Sequence, residues 1–358
     1  MYTQEIYDQR YCAACYFRST AKGNYKKALL QLTEQCNLKC EHCFVSSTNI
    51  GKSIDFYDIE DKIIPFFIKS KVKKVTLTGG EPFVYPKLLE VIELLEKNDI
   101  EIAICTNGLA ITEKFLESIS HIEKIHFNVS LDGFSNKSHN KFRGGKISNL
   151  FDIVISNIKI LSKYKRLNGI LVTPNVYASI DEYVQLCEFA RSIGARYVLM
   201  NPLSKLGRGE EQFELGMNKE QMIELQRRTQ KYNDEKFEVV YIRFPNNEKK
   251  PLSGCLIGKI YYIFTNGNLA LCPYMAFACQ DKNSAYAKDE FIVCNVITEK
   301  NVLVEEKISN IKETIDNQLE QCNKCLNIEC NKGCYAAKIA EGNLLQEVDK
   351  ELCPIDNK

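Results

Sequence analysis

A strong charge of either sign is missing. The 358-residue chain carries 47 Lys and Arg against 46 Asp and Glu, a net +1. A balance that close creates no field to draw in nucleic acid or an anionic membrane, so neither is expected as a partner. Long apolar runs are missing as well, and none approaches the ~20 residues of a transmembrane helix. The opening residues Met1-Tyr2-Thr3-Gln4-Glu5 lack a basic stretch followed by an apolar one. No secretory leader is expected, and the expected compartment is the cytoplasm. Cysteine, by contrast, is plentiful at 16 residues. In a reducing cytosol, cysteines in such number point to metal ligands rather than to a disulfide scaffold. They are unevenly placed, with nine of them after residue 250, which marks a compositional boundary. A chain of this length can bury a large core and hold two domains.

The densest information sits in Cys36-Asn37-Leu38-Lys39-Cys40-Glu41-His42-Cys43. Its C-x3-C-x2-C spacing follows the apolar run Ala28-Leu29-Leu30-Gln31-Leu32, which reads as a short strand. Three thiolates on one tight loop can hold three corners of a four-iron cluster. Such clusters usually take four cysteines, so one iron is left to bind a substrate or cofactor. The alternative is a zinc site, but zinc knuckles favour paired C-x2-C units with a fourth ligand nearby.

Downstream, apolar runs at 28–32, 72–77, 100–105, 124–130, 168–173 and 196–200 alternate with helical periodicity at 58–68, 88–95, 150–161 and 180–193. Strands separated by helices imply parallel βαβ units, and six of them suggest a barrel or an open barrel fragment. Each run ends in a polar motif. The cysteines follow the first, Thr78-Gly79-Gly80-Glu81-Pro82 the second and Thr106-Asn107-Gly108 the third. Ser130-Leu131-Asp132-Gly133 closes the fourth, and Thr173-Pro174-Asn175 and Asn201-Pro202-Leu203 follow the last two. In such barrels the active site gathers at the C-terminal strand ends, so these motifs should converge on one face. Gly79 and Gly80 remove two side chains and permit close backbone approach. Asn107 and Ser130 offer short hydrogen-bonding groups, and Arg143 a fork for a carboxylate. Taken singly, each could be turn chemistry or a surface residue.

Residues 1–27 form a polar lead-in carrying Cys12-Ala13-Ala14-Cys15, readable either as metal ligands or as two reduced thiols. Cys105 and Cys187 lie in apolar patterns and read as buried structural thiols. Residues 207–250 read as a charged bridge with one helix near 218–230. From residue 251 the chain changes character. Lys259 to Phe264 and Leu269 to Leu271 flank Thr265-Asn266-Gly267-Asn268, a β-hairpin with Asn-Gly at its turn. Cys255 precedes it and Cys272 ends it. Cys322-x2-Cys325-x4-Cys330-x3-Cys334 and then Cys353 follow.

The loop and its downstream motifs resemble the radical S-adenosylmethionine (SAM) superfamily over about 28–206. The C-terminal cysteines resemble the SPASM domain, an auxiliary-cluster extension, over about 255–354. Four residues separate Cys325 from Cys330 where that pattern usually has five. The resemblance implies a partial (β/α)6 TIM-like barrel at 28–206 and a SPASM domain with its hairpin at 251–358. It also implies three [4Fe-4S] clusters. Cys36, Cys40 and Cys43 would hold the SAM-binding one. Cys322, Cys325, Cys330 and Cys353 would enclose a distal auxiliary cluster, and Cys255, Cys272 and Cys334 a nearer one. Cys279 is the favoured fourth ligand of that last cluster, since it follows Cys272 by only seven residues; the competing arrangement leaves an iron open.

For SAM itself the resemblance assigns Gly79, Gly80 and Glu81 to the methionyl ammonium and Arg143 to the carboxylate. Asn107, Ser130 and Asp132 complete the cofactor set. His42 stands where the family usually has an aromatic residue near adenine. The implied activity is SAM cleavage to a 5′-deoxyadenosyl radical that takes hydrogen from a peptide or protein. Electrons would come from a low-potential donor such as flavodoxin or ferredoxin. Maturation of a ribosomally made peptide, by crosslink or thioether formation, is the first reading. The lead-in is too short for a leader-binding domain of its own, so a leader would dock elsewhere. The alternatives are a sulfatase-type maturase forming formylglycine and a non-catalytic iron–sulfur electron carrier.

Overall fold

A computed structural model describes residues 24–255, 257–279, 284–299 and 303–355. The Cys12–Cys15 pair lies outside them. Strands β1 (Lys26–Thr33), β2 (Val72–Gly79), β3 (Glu101–Thr106), β4 (Ile125–Ser130), β5 (Leu167–Val172), β6 (Tyr197–Met200) and β7 (Glu238–Tyr241) lie side by side in chain order. All six pairings among them are parallel. Parallel neighbours need a crossover, and helices supply most of it. The helix Leu88–Lys97 buries Leu88, Val91, Ile92 and Leu95, the i, i+3, i+4, i+7 stripe of an amphipathic helix. On β1, Ala28, Leu30 and Leu32 are fully buried on the face that the helices cover. The expected helix at 58–68 runs over Phe56–Lys69 with a π-helical turn at Ile59–Ile63. Pro65 explains the interruption, because a helix-interior proline lacks its N–H and collides with the carbonyl four residues back.

The segment 207–250 holds more than a bridge. Its expected helix is present as Lys219–Thr229, closed by an Asn218–Gln221 capping box. It also contributes β7, whose register runs Tyr197↔Glu238 to Met200↔Tyr241. The hairpin is present as β8 (Ile260–Ile263) and β9 (Asn268–Ala270), with Gly267 at φ +84° in its turn. Rather than standing apart, β8 pairs in parallel with β1 from Lys27↔Ile260 to Leu30↔Ile263. A tenth strand, β10 (Ile292–Asn295), pairs with β9, so the sheet runs β10-β9-β8-β1 through β7. The cysteine-rich segment thus continues the sheet at the strand that carries the first cysteine loop.

A second tie joins the two regions. Arg243, just past β7, pairs through Nη1 with Asp349 at 2.7 Å and through Nη2 with Glu341 at 2.6 Å. Asp349 is almost wholly buried, and the guanidinium is 15% exposed. Removing one partner strands the others without compensation. Arg243→Ala is therefore expected to lower the unfolding free energy by about 3–5 kcal/mol in a guanidinium titration. A loss below about 1 kcal/mol would place the group among exposed ion pairs instead.

Candidate active site

Cys36, Cys40 and Cys43 emerge where β1 ends. Each is a free thiol, and Cys40 is buried. The Cys40 thiol is pushed up to about 12 by burial, against the pull of Arg143, and the charges of Cys43 and Cys36 raise it further. Cys36 is raised by burial and by Cys43 as well. The three thiols, on one short loop, thus lie near enough to act on one another's charge. The end of β3 and the end of the helix Asn136–Phe142 approach them. Arg143 Nη1 lies 3.8 Å from Cys40 Sγ, and Asn107 Nδ2 lies 4.0 Å from Cys36 Sγ while donating to Asn37 Oδ1 at 2.7 Å.

The glycine pair makes its close approach to the chain itself. A Cβ on Gly80 would sit 2.1 Å from the Gln35 carbonyl oxygen, and one on Gly79 2.3 Å from that of Thr33. That closeness lets Gly80 N donate to Thr33 O at 2.8 Å and Glu81 N to Gln35 O at 2.9 Å. Glu81 is 1% exposed. Its Oε1 accepts from Thr106 Oγ1 at 2.7 Å and Phe83 N at 3.2 Å, and its Oε2 from Asn107 N at 2.7 Å. The carboxylate thus latches the end of β2 to the end of β3 and orients Asn107. Burial raises the Glu81 pKa against these donors and against Arg143, whose field reaches it.

Beyond β4, Asp132 anchors Arg143 through a 2.6 Å bond from Nε. Burial pushes the Asp132 carboxyl up, but Arg143, His42, His139 and the Thr173 N–H together hold it below the usual range. His42 stacks on Phe142 with ring centroids 4.2 Å apart, its Nε2 3.6 Å from Asp132. Burial lowers its pKa to about 4, so the ring is neutral. Ser130 ends β4, half-buried beside this group.

Two participants escaped the sequence reading. Arg208 donates through Nε to Cys40 O and through Nη1 to Ser47 O, both at 2.8 Å, clamping the cysteine loop. Gly207 before it passes so close that a Cβ would meet Cys43 O at 2.6 Å. His139 accepts the Asp132 N–H at Nδ1, at 3.1 Å. The spacing His139-x3-Arg143 was the available signal, since residues four apart share a helix face. Asp132 and Arg143 are thus fixed from several sides.

In the C-terminal region, Cys322 feels the charges of Cys330 and Cys325, and Cys353 feels all three. Cys272 feels Cys334 and is pushed up to about 12, chiefly by burial. Cys255 acts on Tyr335, directly after Cys334. Cys272 and Cys279 bracket the helix Pro273–Ala278. Seven residues apart, they share a face about 10 Å apart along the axis. Cys279 engages Ser284 and feels Glu290. Among the described residues, no three His, Cys, Asp or Glu side chains converge on a single-ion site; a cubane, which spreads its thiolates over separate corners, needs no such point. No helix among them is long and apolar enough to cross a membrane.

An open parallel α/β sheet, a three-cysteine loop at its first strand and polar motifs at the following strand ends define the class. Residues 30–190 match the Radical SAM superfamily, and this part of the chain belongs to it. The chain is 30% identical over 190 residues to the antilisterial bacteriocin subtilosin biosynthesis protein AlbA of Bacillus subtilis, covering 51% of this chain and 41% of that protein. It is 29% identical over 203 residues to the sporulation killing factor maturation protein SkfB of Bacillus subtilis, covering 56% of this chain and 48% of that protein. The chain thus spans about half the length of these relatives. In fold it is similar to Streptococcus suis SuiB bound to precursor peptide SuiA, with TM-score 0.69 and 17% identity, over 93% of this chain and 76% of that one.

His139 carries a pH signature. Burial, with Arg143, lowers its pKa to about 3, against an unfolded value near 6.5. The unfolded chain therefore binds the extra proton first. The contribution of neutral His139 to stability is complete above pH ~6.5 and is lost as pH falls toward the folded value. The loss is about 1.4 kcal/mol per pH unit within that window. His139→Asn, whose Oδ1 can accept the same N–H, is expected to flatten the decline between pH ~6 and ~4 in denaturant titrations. An unchanged slope would contradict the assignment.

Proposed function

We propose that the protein is a radical SAM enzyme that matures a ribosomally made peptide. The observation that carries the reading is the approach of Arg143, from the end of the helix Asn136–Phe142, and of Asn107, from the end of β3, to the sulfurs of Cys40 and Cys36 on the three-cysteine loop. Membership of the superfamily implies a [4Fe-4S] cluster and SAM, and the donor set fits them: three free thiols on one loop, beside a buried guanidinium. When bound, the reduced cluster supplies the electron that cleaves SAM to a 5′-deoxyadenosyl radical for hydrogen abstraction.

The chain's own residues bind and orient. Cys36, Cys40 and Cys43 hold the cluster. Arg143, aimed by Asp132, pairs with the SAM carboxylate, while Gly79, Gly80 and Glu81 shape the ammonium end. Asn107 and Ser130 provide hydrogen bonds, and His42 flanks the adenine. In the C-terminal region Cys322, Cys325, Cys330 and Cys353 form one auxiliary ligand set. Cys255, Cys272 and Cys334 form the other, with Cys279 as its fourth member. A bacteriocin biosynthesis protein and a killing-factor maturation protein among the relatives, and a structural neighbour bound to a precursor peptide, support a peptide substrate over a sulfatase. A low-potential flavodoxin or ferredoxin would supply electrons.

Cys40→Ala is expected to abolish 5′-deoxyadenosine formation from SAM in dithionite-reduced protein while leaving far-ultraviolet circular dichroism unchanged. Formation at the wild-type rate would refute the reading. Anaerobic reconstitution should yield about twelve irons and as many sulfides per chain, four per cluster. Bound zinc with about four irons would replace the auxiliary clusters by a zinc ribbon.

A further inference from the structure

A polar cavity of about 180 Å³ opens on the β8 side of β1, beside the loop that leaves Cys43. Glu81, Asn107 and Asp132 come from the ends of β2, β3 and beyond β4, on the other side of β1. Gln31, Ser47, Phe264 and Phe277 are among its walls. Among the described residues, Gln31 Oε1 and Ser47 Oγ are buried with no hydrogen-bond partner, as is the Tyr262 hydroxyl on β8. Gln31 is 3%, Ser47 4% and Tyr262 2% exposed. Leu29 pairs with Tyr262, so Gln31, two residues on, faces the same side of the sheet. The Tyr262 ring packs 4.8 Å from Phe264 and 6.2 Å from Phe277, centroid to centroid. Its phenol feels the charge of Cys43, so the group abuts the cluster loop.

Buried polar atoms in native proteins are normally satisfied, and two orphans in the walls of one polar cavity, with a third on the neighbouring strand, point to an absent partner. The charges nearby are already engaged. Glu34 accepts from Lys52 N at 3.0 Å and Thr265 Oγ1 at 3.1 Å, and Lys288 Nζ lies 4.7 Å over the Phe264 ring. The unpartnered buried atoms in its walls are an acceptor, Gln31 Oε1, and a hydroxyl that can donate or accept, Ser47 Oγ. That is the complement of a neutral group with an N–H and a carbonyl. The volume is below that of whole-ligand pockets and suits one unit of a longer chain.

We propose that this cavity is a substrate subsite that holds one peptide unit of the substrate, its N–H donating to Gln31 Oε1 and its carbonyl accepting from Ser47, against the packed Phe264 and Phe277 side chains. The inference rests on the peptide-substrate reading and adds the residues that grip the chain beside the radical source.

The test pairs a protein change with a ligand change. Acetyl-Gly-Ala-Gly-amide, and analogues with one amide at a time replaced by an ester, are titrated into reconstituted, SAM-loaded full-length protein by saturation-transfer NMR. At one position the ester should weaken binding to the wild type by about two- to tenfold, the range of one neutral hydrogen bond. On Gln31→Leu the ester and amide should bind alike. Ser47→Ala, a smaller change, should weaken the amide probe while keeping the ester penalty. An equal penalty on wild type and Gln31→Leu, no discriminating position, or no binding would overturn the subsite and leave the cavity to water. SAM cleavage by the same wild-type preparation separates the two claims. Cleavage without the ester effect sinks the subsite alone; no cleavage sinks the functional reading itself.

Discussion

Much of this structure answers one constraint: the loop from Cys36 to Cys43 has no regular secondary structure, yet its main-chain groups lie against the protein interior. Such groups must be satisfied, and the donors and acceptors come from distant parts of the chain. Cys40 O and Ser47 O receive the Arg208 guanidinium, and Cys43 O receives Arg208 N. Glu41 N donates to Phe142 O, and Cys36 N to Thr48 O. Asn107 holds Asn37, and Glu81 in turn holds Asn107. The three thiols are therefore aimed by a frame drawn from the ends of β2 and β3, the helix Asn136–Phe142 and the segment after β6. That frame also explains why glycines stand at 80 and 207, where a Cβ would strike the loop or the strand that carries it.

The sheet converts this local frame into a site. Parallel order places the end of every strand from β1 to β7 on one edge, so polar residues far apart in sequence meet. The β8–β9 hairpin adds to the other side of β1. As a result the aromatic group Phe44, Tyr262, Phe264, Tyr274 and Phe277 packs between the cysteine loop and the C-terminal cysteines. The two cysteine-bearing regions share a core across β1, and Arg243 with Asp349 and Glu341 ties them again.

The strands were legible where apolar runs were long. Expected and observed positions for the first six agree within about two residues, because strands buried on both faces read as continuous hydrophobic stretches. β7 was not legible: it is four residues long and lies among charged residues, so neither length nor alternation marked it. The pairing of β8 with β1 was also invisible, since register between segments over two hundred residues apart leaves no local trace. At the site, the cysteines, Asn107, Asp132 and Arg143 could be named from motif order. Arg208 could not, because its partners are two main-chain carbonyls, which any residue type supplies; His139, whose partner is a main-chain N–H, left only its helical spacing from Arg143 as a trace. Glu81 was legible as a site residue, but not its three protein donors, which depend on how closely β2 and β3 end together.

One iron, left open by Cys36, Cys40 and Cys43, is expected to bind SAM directly. Electron–nuclear double resonance of the reduced protein, in the Cys322→Ala, Cys272→Ala background that removes one ligand from each auxiliary set, tests it with SAM labelled with ¹⁵N at the amino group and ¹⁷O at the carboxylate. Hyperfine coupling of both labels to the cluster is the expected result. Retained SAM binding, shown by equilibrium dialysis, with neither label coupled would contradict it.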